Sequence, residues 1–278
     1  MASEITITVA SAAAPTIVEK EALRALYANR VVARPNVVKY EIRSGKPGQN
    51  VDHVELGALN VNAAGADGGV TNTAVTHTQR QIALDDWRHV AISIPYRTVA
   101  QSVLDYDVEF GASAGGALGA DMDSLLTALW NSVSGTEGNS GAIMADSLVR
   151  ASILDLDLLN VPQEKRTFVL HPSAKFALLG DADFRSANIT GAGKGGHVTG
   201  ILHPLYGIEF VTTTQVVNSS GYKNLLLQEN CMGFMLQREI SIKKHELVGD
   251  LTVRFTADYL AGAGILRANH GVAITTAV

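Results

Sequence analysis

One cysteine stands in 278 residues, Cys231. A lone thiol excludes an intrachain disulfide framework and a cysteine-rich zinc site, and leaves Cys231 as a small core hydrophobe. Charge is sparse, with 18% Asp, Glu, Lys and Arg. That is low for a soluble enzyme and suits a surface that meets other copies, because interface cores are depleted in charge. Positive charge is not in excess either. A net charge of −5 argues against a nucleic-acid reader, which carries a basic stripe, but is compatible with enclosing nucleic acid. The few aromatic residues, 6%, do not interleave with basic ones, which disfavours a single-strand groove. No run approaches the roughly 18 apolar residues that span a membrane. The mildly apolar Ile5–Ala14 follows Glu4 instead of a basic stretch, so a signal peptide is not expected and the chain reads as soluble.

Chemistry-bearing motifs are missing too. The eight histidines (53, 77, 89, 171, 197, 203, 245 and 270) show no HxH, HxxxH or HExxH spacing, so no local metal site is legible. No GxSxG elbow is present. Gly191-Ala192-Gly193-Lys194-Gly195-Gly196 spells GxGxxG. A dinucleotide site needs a buried strand before that motif and a helix N-terminus after it. The flanking DFRSAN and HVTG supply neither, and the Walker spacing is absent. The segment reads as a flexible loop. Asp121 and Asp123, two residues apart on a helix, fall on different faces and read as solvated or interface carboxylates, not an acid/base pair.

What the sequence has in quantity is small residues in long stretches. A glycine-rich polar arm, Gly45–Thr78, contains Gly45, Gly48, Gly57, Gly65, Gly68 and Gly69. Weak alternation around Val51–Leu59 and Val70–Thr78, with a hairpin tip at Ala66-Asp67-Gly68-Gly69, predicts a long two-stranded finger. Isolated hairpins are marginal in water, so this one needs a neighbour to lie on. Gln79–Pro95 holds two strand-like runs. Apolar residues from Val99 to Leu129 then recur at helical spacing over Thr98–Val133, a rod of roughly 50 Å if continuous. Gly111, Gly115, Gly116 and Gly119 in its middle cost about 1 kcal/mol each relative to alanine. They either allow close approach to a sheet or mark a bend.

The remainder alternates irregularly. Residues 1–15 read as a draped arm ending at Pro15, Thr16 as the cap of a short helix, and Val37–Arg43 as a strand. Ser134–Gly141 reads as a break and Ala142–Leu159 as an amphipathic helix. Thr167–His171 is expected as a buried strand, Ser173 as the cap of helix Ala174–Leu179, and Asp181–Leu205 as loop. Further strands are expected at Tyr206–Val217, Tyr222–Gln228, Phe234–Lys244, Leu251–Tyr259 and Ile265–Ile274. This is an α+β chain, not a βαβ array.

The order of these parts resembles the major capsid proteins of tailed phages with the Hong Kong 97-type fold. Gly48–Val54 (GQNVDHV) resembles the family's strand entering its extended loop. Ile82–Trp87 with Val90–Tyr96 resembles the returning strand, and Gln101–Asp123 with GALGADMDSLL resembles the spine helix. Tyr206–Phe210 and Tyr259–Ile274 resemble later strands of that fold. The resemblance implies a non-enzymatic structural subunit, made in the host cytoplasm and resident in the virion. It would form pentamers and hexamers that close into an icosahedral shell around double-stranded DNA.

It also implies a division of the chain: an N-terminal arm (1–36), a peripheral domain (37–44 and 79–141) and an extended loop (45–78). The axial domain (142–230) follows, and C-terminal strands (231–278) complete both sheets. Lys46, Gly48, Asp67, Gly68 and Gly69 would belong to the loop, and Gly111, Gly115, Gly116 and Gly119 to spine packing. Arg185 and Lys194 would belong to the axial loop. No long charged helical segment precedes the arm, so a separate scaffolding protein is expected, beside a portal and decoration proteins. No acceptor pattern accompanies Lys46, so subunit crosslinking is not carried over. No cofactor or metal is implied. The alternatives are an encapsulin-like compartment shell and, less favoured, an enzyme with a nucleotide site at Gly191–Gly196.

Overall fold

The computed structural model describes residues 20–43, 48–57, 61–62, 74–103, 105–185 and 200–277. A helix α1 over residues 20–29 is followed by strands β1 (Lys39–Ile42), β2 (Asn50–Leu56), β3 (His77–Ala83) and β4 (Asp86–Pro95). Helices α2 (Tyr96–Gln101) and α3 (Tyr106–Ala128) come next, then β5 (Gly135–Gly138), α4 (Asp146–Leu158) and β6 (Arg166–Leu170). Helices α5 (Pro172–Gly180) and α6 (Ala182–Arg185) precede β7 (Glu209–Thr212), β8 (Tyr222–Gln228), β9 (Met232–Leu247), β10 (Thr252–Ile265) and β11 (Gly271–Thr276).

Two patterns meet in the first layer. In β10 the residues Val253, Phe255, Ala257, Tyr259 and Ala261 alternate to one face and are buried there, as period two requires. In α3 the buried Phe110, Ala114, Leu118, Met122 and Leu126 recur every fourth residue and form one stripe. Stripe and face share one core, and each large side chain contributes about 1.5–3 kcal/mol by burial. The sheet beneath α3 has the order β1-β9-β10-β4. A second sheet, β5-β11-β8-β6-β7, divides two cores. Its residues Phe168, Leu170, Leu226, Val272 and Ile274 face a cluster that includes Val149 and Leu156 of α4 and Leu178 of α5. Val169, Leu225, Leu227 and Ala273 join the α3 core. Cys231 is fully buried in that core, which pushes its thiol up to about 12.

Several expectations are corrected. The helical stretch Thr98–Val133 is not one rod. Ser102 is extended (ψ 145°) and stops α2; the Asp105 carbonyl accepts from Glu109 N at 3.1 Å to open α3. The 23 residues of α3 give a length of about 35 Å, after which Leu129–Ser132 tightens into a 3-10 turn. The break at Ser134–Gly141 contains β5, which is strand only because β11 pairs with it in parallel. Tyr206–Val217 is cut short by left-handed Tyr206 and Gly207 (φ 57° and 73°). The cap of α5 is His171 with Pro172 in the first turn, and Ser173 N donates to His171 Nδ1. Leu251–Tyr259 extends through Gly262 and Gly264 to Ile265. The Thr16 cap lies outside the described residues.

Candidate assembly surfaces

β2 and β3 form a separate two-stranded ribbon. Most of its residues are exposed, including Val54 and Leu56 at 59% and 52%. Its root is anchored: Val51, Ile82 and Leu84 pack with Met235 and Leu266 in a small core of their own. The root sits on a floor of glycines in β9 and β10. A Cβ at Gly262 would overlap the Ala83 carbonyl, and one at Gly264 or Gly233 would stand 2.8 Å from Ile82. Polar ties complete it, with Arg267 paired to Glu55 at 2.6 Å and Gln237 Nε2 donating to the Gly48 carbonyl at 2.9 Å. Of the loop residues singled out by sequence, Gly48 lies at this root; Lys46, Asp67, Gly68 and Gly69 lie outside the described residues. The glycine floor escaped sequence reading, although Gly262-Ala263-Gly264 inside an alternating strand was a signal of close backbone approach.

Titratable groups gather beside the root. His270 is buried, with Nδ1 3.2 Å from Gln228 Oε1. Burial first and the Arg267 cation second hold it below the usual imidazole range. His53 is also lowered, by burial and then Lys39, against an opposing pull from Glu55.

The spine glycines face a helix, not a sheet. A Cβ at Gly115 would overlap the Ala22 carbonyl of α1; one at Gly119 would meet Leu26 O at 3.2 Å and Arg30 N at 3.3 Å. At Gly116 the nearest atom is Asn29 Nδ2, at 3.3 Å. Gly111 is buried in the same helix. Close packing of α1 on α3 is the physical reason Gly115 and Gly119 stand in a helix that would otherwise prefer alanine.

Asp123 is a correction. It is neither solvated nor an interface carboxylate: only 1% exposed, it accepts Val31 N at 2.7 Å, Val32 N at 2.8 Å and Ala33 N at 2.9 Å. One side chain thus satisfies the backbone where the chain leaves α1. Burial pushes its carboxyl above the ordinary range, opposed by the three N–H bonds. Asp121 instead accepts from Tyr259 OH at 2.7 Å and faces Arg88 at 4.0 Å.

At the start of α4, Tyr206 OH donates to Asp146 Oδ1 at 2.9 Å and Arg150 Nε lies 2.6 Å from Asp146 Oδ2. These bonds fasten the returning loop to the start of α4. Arg185 ends α6; Lys194 and the Gly191–Gly196 motif lie outside the described residues. Among the described residues no three His, Cys, Asp or Glu side chains gather to hold a metal, and no helix is long and apolar enough to cross a membrane.

No protein-family model and no curated protein matches the sequence, but solved structures match the fold. A Mycobacterium phage Che8 structure aligns at TM-score 0.70 and 16% identity, over 82% of this chain and 85% of that one. The capsid of Ralstonia phage GP4 aligns at TM-score 0.68 and 12% identity over 91% of both chains. A virus-like particle from Pyrococcus furiosus aligns at 0.62 and 14% identity, over 92% and 97%. The fold of this chain is the Hong Kong 97-type fold of phage major capsid proteins.

Proposed function

We propose that the chain is the major capsid subunit of a tailed bacteriophage, resident in the virion. In this reading it assembles as pentamers and hexamers into an icosahedral shell around double-stranded DNA. The observation that carries the reading is the β2–β3 ribbon. Most of its residues are exposed, and among the described residues it is held by its root core and by the Arg267–Glu55 ion pair, in a chain whose fold is that of capsid shells. A ribbon that cannot satisfy itself is completed by lying on the next copy. Such heterologous contacts close into rings around five- and six-fold axes. A scaffolding protein, a portal and decoration proteins belong to this reading as partners.

Deleting residues 57–75 tests it. The root contacts at Val51, Ile82 and Leu84 lie outside the deletion, so the body stays folded, with wild-type circular dichroism, while shells are lost. Normal shells from the deletion variant would refute the role given to the ribbon. The second reading, less supported by the neighbouring structures, is a compartment shell around protein cargo. Purified particles containing a cargo protein and no DNA would favour it.

A further inference from the structure

One face of the β1-β9-β10-β4 sheet carries α3, and the strand register identifies the other. Asp258 pairs with His89, Thr256 with Lys243 and Arg254 with His245, and paired residues share a face. Val253, Phe255 and Ala257 between them turn into the α3 core, so these rows turn away from it. His89, Lys243, His245 and Arg254 are exposed there.

At one end of the rows Trp87, His89, Arg238, Lys243, Thr256 and Asp258 line a hollow of ≈ 530 Å³. Trp87 is 68% exposed, a large apolar area to leave in water. Its ring is nonetheless held, because Nε1 donates to Asp258 Oδ2 at 3.0 Å. Arg238 stands 3.2 Å from the same oxygen. Asp258 is the one carboxylate among these residues and is already engaged. Arg238, Lys243 and Arg254 therefore leave the face positive in a chain of net charge −5. A fixed indole beside an arginine is the make-up of an interface anchor, since little freedom is lost when a partner covers it.

The chemistry of the face selects its occupant. Duplex DNA meets repulsion from the chain as a whole and few cations. A single nucleic-acid strand needs successive stacking rings where one indole stands. An acidic peptide with one apolar side chain matches both features. Trp87 and Arg238 both pair with Leu260, so the cations from Arg254 to Arg238 spread over roughly 20 Å of β10, the span of about six extended residues. We propose that this face docks an acidic extended segment of a second, non-shell protein. Its carboxylates meet Arg238, Lys243 and Arg254, and an aromatic or branched apolar side chain lies on the Trp87 indole. The dock rests on the shell reading in one respect, that the face stays open when copies pack side by side.

The probe is a fluorescein-labelled peptide, Glu-Asp-Glu-Phe-Asp-Glu-Asp, added to the purified chain and to particles. Fluorescence anisotropy is expected to show binding that weakens about tenfold or more in Trp87→Ala. The exposed pair Lys243→Glu with Arg254→Glu should weaken it similarly, at an unchanged urea midpoint. A peptide with lysine in place of every acid should not bind, and glycine in place of phenylalanine should weaken binding. Acrylamide quenching follows the face itself, because the second tryptophan, Trp130, is fully buried. Trp87 is expected to be quenched in particles and protected by the unlabelled acidic peptide. Absent binding, equal binding of the lysine peptide, or no loss in the variants would overturn the dock. Trp87 shielded in particles of the chain alone would assign the face to a neighbouring copy and overturn the outside partner. Tighter binding of an oligothymidylate than of the acidic peptide would replace protein by nucleic acid and overturn it too. If the chain forms no particles the shell reading fails, while peptide binding to the free chain still decides the dock.

Discussion

Two adjacent glycines in α3 should respond to the same substitution with opposite sign. Placing alanine in a helix interior favours the helix by about 1 kcal/mol over glycine, so Gly→Ala stabilises wherever the added methyl has room. At Gly116 the nearest atom to that methyl is the amide nitrogen of Asn29, 3.3 Å away. This is the end of a side chain that swings aside, so Gly116→Ala is expected to be neutral or to stabilise by up to about 1 kcal/mol. At Gly115 the methyl overlaps the Ala22 carbonyl, with the Ala22 Cα at 3.0 Å. Backbone cannot swing aside, and α1 must shift along its whole packed face. Overpacking of this kind costs about 1–3 kcal/mol, which exceeds the propensity gain and makes Gly115→Ala a net loss. The assay is urea unfolding of both variants and wild type at one fixed subunit concentration, because association shifts apparent stability. Buried Trp130 is the fluorescence reporter. If both variants gained stability equally, the glycines would have no packing role and the account of the spine would be wrong.

Asp123→Ala strands the buried N–H donors of Val32 and Ala33 at about 1–3 kcal/mol each and frees that of half-buried Val31, a large part of the about 5–15 kcal/mol that holds a domain together. Asp123→Asn keeps one oxygen for Val32 and Ala33 and should cost about half as much; equal urea midpoints for wild type and Asp123→Ala would contradict the clamp. Gly262→Ala should displace the ribbon root from its glycine floor, seen as faster proteolysis between Gly57 and Thr76 with little change in the Trp130 signal, and unchanged cleavage would count against the floor. For pH, the imidazoles of His53, His171 and His270 are all held below their ordinary range, chiefly by burial. The unfolded chain therefore binds more protons as pH falls below about 6.5, and stability drops across that window. Thermal scans at pH 7.5 and 5.5 should show the loss, reduced in His270→Gln; a flat profile would contradict it.

The elements legible in advance were those whose pattern is local. The fourfold spacing of Phe110 to Leu126 and the alternation in β9 and β10 follow from burying one face, and the order of parts was enough to place the fold. Features made by tertiary pairing were not legible. β5 has no pattern of its own and exists because β11 lies beside it. The fate of Asp123 depends on the backbone about ninety residues earlier, Val31 to Ala33, so spacing on the helix misplaced it in solvent. The spine glycines pointed to close approach, but only the structure supplies the partner, the carbonyls of α1. The finger was read from weak alternation around Val51–Leu59 and Val70–Thr78, whereas the strand that pairs with β2 is His77–Ala83, and the root's glycine floor lies in β9 and β10 at the far end of the sequence.

The central claim, that this chain builds a closed shell, is tested most directly by electron microscopy of the purified protein with its assembly partners and without them. The account predicts uniform icosahedral particles or pentameric and hexameric capsomers. Monomers or small dimers under every condition would contradict it.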